Sequence, residues 1–204
     1  MSTATIKQNS NPAPPSRIHP KVFLLWVGMG TVVMLFAGFT SAYIVRRLQG
    51  NWEEYQMPNI FWASTGVIVL SSLTMFICSR AFKQENYTRY RTFLSITLLL
   101  GLLFCGLQYA GWMQLKSIGI DLSDTTPSGA FLYLISGIHA AHVLGGILFL
   151  FVFWVRSLRK PDPFNALMQD ISPDRNLGIQ LLATYWHFVD VLWLYLFFFF
   201  LYYQ

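Results

Sequence analysis

Five long apolar runs govern what this chain can fold into. They lie at about 22–45, 59–79, 92–115, 129–155 and 179–203, each long enough to cross a bilayer as a helix. In hydrocarbon every backbone N–H and C=O must be satisfied inside the protein, and a helix does this within its own segment. The expected fold class is therefore all-α, a polytopic membrane helical bundle with five transmembrane helices. Composition agrees: 54% of the 204 residues are hydrophobic and 11% are charged, against about 25% charged in soluble domains. Residues 1–20 are polar and Pro-rich and read as a disordered cytoplasmic tail, with the transmembrane domain over 21–204. No cleavable signal peptide, Arg-rich transit peptide or internal repeat is evident, so a transporter built from inverted halves gains no support.

The basic residues orient the bundle. Eleven Lys and Arg fall in the N-terminal tail and in the second and fourth connections, whereas three fall in the first and third connections. Such an imbalance predicts a cytoplasmic N-terminus and a periplasmic or extracellular C-terminus. The net charge of +5 is then topology charge, and no nucleic acid partner is expected. Cys78 and Cys105 lie inside apolar runs without a CxxC spacing and read as small buried hydrophobes.

Two spans carry stripes of small or polar residues. On the third, Thr97, Gly101, Cys105, Gln108 and Gly111 fall within one arc at 100° per residue, and on the first so do Thr31, Gly38, Ser41 and Ala42. Small residues let helix backbones approach closely, so both stripes read as packing seams. A lined conduction pathway would need more polar groups than these faces hold.

Ionisable groups within spans are few. His139 and His142 sit on the fourth, and His187 and Asp190 on the fifth, each pair spaced i, i+3 and so sharing a helix face. Gln180 shares the arc of the second pair. Such faces are expected to look into protein. Three histidines and an aspartate are an acceptable metal set, but no Glu or thiolate supports it. A hydrogen-bonded structural cluster fits the spacing best, with a local proton or water role and a metal or haem site as the alternatives. The fourth and fifth spans run antiparallel, placing His142 and Asp190 at similar depth at about 1.5 Å per residue. Asp190 is expected to be hydrogen-bonded, either to His142 or His139 or to a polar group on a partner.

The chain resembles subunit III of the haem–copper terminal oxidases, the cytochrome c oxidase subunit III family, in its short five-helix bacterial form. "YWHFVDVLW" at 185–193 resembles the family's last-helix signature, and "GIHAAHVLGG" at 137–146 its Gly-x-His-x-x-His-Val element, preceded by "LSD" at 122–124. "LQYAGW" at 107–112 and "TVVMLFAGFTSAY" at 31–43 resemble two further motifs. The departures are specific. The family carries buried glutamates where Val32 and Gly111 stand, and a third where Gln180 stands, so roles assigned to those carboxylates do not carry over. The two helices that precede the five-helix core in longer members have no counterpart here.

The resemblance implies a non-catalytic subunit of an oxidase that reduces O2 with cytochrome c or a quinol and couples this to proton pumping. Catalytic, cofactor-binding and metal residues are none on this chain, with haem and copper on partner subunits I and II. The expected direct partner is subunit I, which the chain packs on and stabilises. Subunit II, a small subunit IV, membrane lipids and a larger respiratory supercomplex are further candidates, and the location is the bacterial plasma membrane. Two other readings stand beside this one: the small membrane subunit associated with nitric oxide reductases, and a proton-coupled transporter subunit.

Overall fold

A computed structural model describes residues 19–50, 52, 57–117, 119, 127–158 and 174–203, with the side chains of 174–176 excepted. Of the tail expected over 1–20, residues 1–18 lie outside the described residues, as does the "LSD" element, while His19 and Pro20 cap and open α1. Five helices follow in order: α1 (Pro20–Leu48), α2 (Ile60–Lys83), α3 (Tyr87–Ser117), α4 (Pro127–Leu158) and α5 (Asp174–Tyr203). Among the described residues there are no strands. Each helix is long and apolar enough to cross a membrane. The shortest, α2 with 24 residues, extends about 36 Å, beyond the roughly 30 Å of a hydrocarbon core. The helices overrun the apolar runs by up to several residues, because polar residues at the ends extend a helix into the headgroup region without breaking it.

Local chemistry sets the ends. Pro20 opens α1 at a position where its missing N–H is no loss, and the His19 side chain accepts from the Lys21 N–H at 3.3 Å. Arg46 and Arg47 stand in the last turn, where they complement the helix dipole. Between α2 and α3 the chain reverses in three residues. Glu85 takes a left-handed conformation (φ 57°), and Asn86 Oδ1 accepts from the Arg89 N–H at 3.2 Å to cap α3. This short turn makes α2 and α3 an antiparallel hairpin with the most extensive contact in the bundle.

Helix α5 is the hub. It packs against α1, α2 and α4, and half of its spanning window is buried, against 11% for α1. Its two buried tryptophans explain the difference. The Trp186 ring fills a notch between Gly101 of α3 and Gly146 of α4, where an added Cβ would lie 2.9 and 3.0 Å from ring carbons. Its indole N–H donates to Ser71 Oγ at 2.8 Å. Trp193 packs against Phe61, Phe104 and His139 and donates to Thr65 Oγ1 at 3.0 Å. Hydrocarbon offers an indole no acceptor, so the N–H groups of Trp186 and Trp193 each draw a hydroxyl from a neighbouring helix. Trp112 to Ser136 and Trp154 to Ser95 repeat the device between α3 and α4.

The two small-residue stripes behave differently. On α3, Thr97, Gly101, Gln108 and Gly111 are buried and Cys105 is half-buried. On α1, Thr31, Gly38, Ser41 and Ala42 are all exposed, so the seam expected there is not formed among the described residues. The buried side of α1 is instead Met29, Phe36, Thr40 and Tyr43, because the deep cleft beside α4 and α5 takes large rings rather than small residues.

Candidate functional site

The four spanning ionisable residues do not form one cluster. Each i, i+3 pair shares a helix face, but α5 is turned so that its pair meets α2 while the pair on α4 meets α1. His139 is fully buried, with its ring 5.2 Å from Trp193, 6.2 Å from Phe104 and 6.3 Å from Phe36 between ring centroids. Neither of its ring nitrogens has a hydrogen-bond partner among the described residues. His142, one turn on and half-buried, donates from Nδ1 to the Ile138 carbonyl at 2.8 Å and packs on the same Phe36 at 5.8 Å. Its own carbonyl accepts from the Tyr185 hydroxyl at 3.0 Å, tying α4 to α5.

On the other side, His187 Nδ1 lies 2.7 Å from Ser72 Oγ of α2. Asp190 is 3% exposed, and neither carboxylate oxygen has a well-formed hydrogen bond among the described residues. The Ser72 hydroxyl stands beside Asp190 as well, but its good geometry goes to His187. The expected bond from Asp190 to His142 or His139 is therefore absent within the described chain. The reason is rotation: the aromatic packing of Trp186 and Trp193 fixes α5 with Asp190 toward α2. Gln180 is a second correction. It is exposed two turns nearer the start of α5 and does not join the buried polar groups.

The positions where the resemblance implies carboxylates are informative. Val32 lies on the inward side of α1, half-buried, one turn before the Phe36 ring that packs on both α4 histidines. Gly111 has no room for any side chain, since a Cβ there would sit 2.8 Å from Phe61 Cζ and 3.1 Å from Ile60 Cγ2. Phe61 occupies the space a glutamate would need. Among the described residues, no three His, Cys, Asp or Glu side chains converge to hold a metal ion. The buried polar chemistry that does exist is helix packing: Gln108 Nε2 to Ser64 Oγ at 3.1 Å, and Thr74 to Thr97 at 2.9 Å. The serines of α2 were not singled out in the sequence. The signal for Ser71 is Trp186, whose buried indole N–H needs an acceptor.

Comparison with known proteins follows the same line. Residues 31–204 match the family described as Cytochrome c oxidase subunit III. The chain is 31% identical over 192 residues to the probable cytochrome c oxidase subunit 3 of Mycobacterium leprae, covering 89% of this chain and 90% of that protein. It is 27% identical over 178 residues to the cytochrome c oxidase subunit 3 of Bacillus sp. (strain PS3), covering 84% of this chain and 80% of the relative. To the probable subunit 3 of Rickettsia felis it is 33% identical over 156 residues, covering 73% of this chain and 51% of that protein. With a family match across all five helices, this chain belongs to the cytochrome c oxidase subunit III family.

Proposed function

We propose that this chain is the non-catalytic third subunit of a haem–copper terminal oxidase, packing on subunit I and stabilising it during sustained turnover. The supporting observation is the family match over 31–204, laid on a bundle in which Trp112, Trp154, Trp186 and Trp193 each donate to a hydroxyl of a neighbouring helix. Such a chain has the build of a scaffold. Haem and copper belong to partner subunits I and II in this reading, and O2 reduction and proton pumping take place there. The N-terminus lies in the cytoplasm, since eleven of the fourteen Lys and Arg then fall on the inner side.

The test is purification of the tagged chain from its native membrane in mild detergent, with optical spectra and mass spectrometry of what accompanies it. Haem absorbance and a larger membrane chain should co-elute with it. Recovery as a haem-free homo-oligomer would overturn the proposal in favour of a transporter. In a strain lacking this chain, the oxidase should keep its haem spectrum while losing endurance in turnover.

A further inference from the structure

A half-buried imidazole at mid-membrane is the least expected group on the outside of this bundle. Ser72 is the thirteenth of the 24 residues of α2, and His187 is the eleventh of the 27 in the spanning part of α5. Both helices thus place their hydroxyl and imidazole near the centre of the bilayer, where hydrocarbon can neither donate nor accept a hydrogen bond. Around them lie exposed apolar side chains, Val69 and Phe76 on α2 and Val191 on α5. Thr184, one turn before His187 on the same face, is exposed too. This is a polar point within an apolar rim, which is the build of a helix–helix contact rather than a lipid face.

The bonding narrows what the contact must be. Both Asp190 oxygens are buried and accept nothing of good geometry, and the Ser72 hydroxyl is beside them. Ser72 Oγ occupies Nδ1 of His187 at 2.7 Å. Nε2, the other ring nitrogen, has no partner among the described residues, and it donates or accepts according to which nitrogen carries the hydrogen.

We infer that the α2–α5 seam centred on Ser72 and His187 is the face this chain presents to a transmembrane helix of a neighbouring oxidase subunit, which hydrogen-bonds His187 Nε2 through a hydroxyl or amide side chain, a group able to serve either tautomer. The inference rests on the reading of the chain as an oxidase subunit and adds the face, the depth and the chemistry of the contact.

Photo-crosslinking in the assembled oxidase tests it. Benzoylphenylalanine is placed at Val191, which is 63% exposed one turn beyond His187, and in a separate strain at Leu148 of α4, equally exposed at 63%. Irradiated membranes are solubilised and the tagged chain is recovered with its haem-containing partner. Val191 should join covalently to another oxidase subunit, at least about tenfold above Leu148. Adducts with lipid alone, with a second copy of this chain, or in equal yield at the two positions would overturn the inference while the co-purifying haem keeps the subunit reading intact. Loss of the haem-containing partner from the unmodified chain would overturn the reading itself. As a second measurement, His187→Leu should lower recovery of the complex about threefold or more, in line with interhelical hydrogen bonds in membranes, and His187→Gln should restore part of it. Unchanged recovery with both substitutions counts against the bond.

Discussion

Helices α3 and α1 carry the same kind of sequence, a stripe of glycines and small polar residues along one arc, and the bundle treats them in opposite ways. Both glycines of the α3 stripe meet a large ring and a branched chain, Trp186 and Ile147 at Gly101, Phe61 and Ile60 at Gly111. On α1 a Cβ built at Gly28 or Gly38 would meet nothing within 4 Å. Small residues therefore mark where something can come close, and they do not say whether that something belongs to the same chain. What decides is the complement. Helix α5 supplies tryptophan opposite α3 and α4, and among the described residues nothing stands opposite the glycines of the α1 stripe.

The largest effect should come from filling the α3 notch. Gly101→Leu puts three further carbons beyond a Cβ that already lies 2.9 Å from Trp186 Cη2 and 3.3 Å from Ile147 Cγ1. Trp186 is fully buried and anchored to Ser71, so it has nowhere to swing. Overpacking of this kind costs about 1–3 kcal/mol for modest insertions and more for a whole side chain. Folded chain should fall to trace levels in fluorescence-detected size exclusion. Pairing it with Trp186→Leu should recover a measurable fraction, because the two changes share one space and are not additive. Normal yield from Gly101→Leu alone would show that the notch is not a tight seam.

A smaller effect is expected at the other end of the same stripe. Gly111→Ala adds only a methyl, 2.8 Å from Phe61 Cζ. Phe61 is 2% exposed and its ring is held against Trp193, so the strain must be absorbed within the core. A loss of about 1–3 kcal/mol is expected, seen as a lowered thermal midpoint of the solubilised chain. Phe61→Leu should relieve the alanine variant, and a glutamate at 111 should be worse than alanine. An unchanged midpoint for Gly111→Ala would mean that α2 and α3 can separate there at little cost.

How much of this was legible beforehand follows the same division. The five helices could be read to within several residues because hydropathy and length are summed over some twenty positions and tolerate local error. The facing of side chains could not, because periodicity fixes an arc on one helix and leaves its neighbour unnamed. His187 and Asp190 share a face as their spacing implies, yet the face meets Ser72 and not the α4 histidines. That rotation is set by Trp186 and Trp193, whose rings need glycines on one side and hydroxyls on the other. Gln180 was misread for a related reason: it lies on the same arc but nearer the helix start, where a polar side chain reaches the membrane surface without burial.

The smallest effect should be found on α1, and it is the one that most sharpens the contrast. Gly38 is exposed and has open space around its Cα, so Gly38→Ala introduces no contact within the chain. The helix itself gains, since alanine is favoured over glycine by up to about 1 kcal/mol in a helix interior. The solubilised chain should therefore unfold at the same temperature as the unmodified protein or slightly above it, and Gly28→Ala should do likewise. The comparison with Gly111→Ala is then between two single methyls on two similar stripes, one expected to destabilise and one not. If Gly38→Ala lowered the midpoint as far as Gly111→Ala, the α1 stripe would have to close against this chain's own helices, and the opposition between the two stripes would be lost.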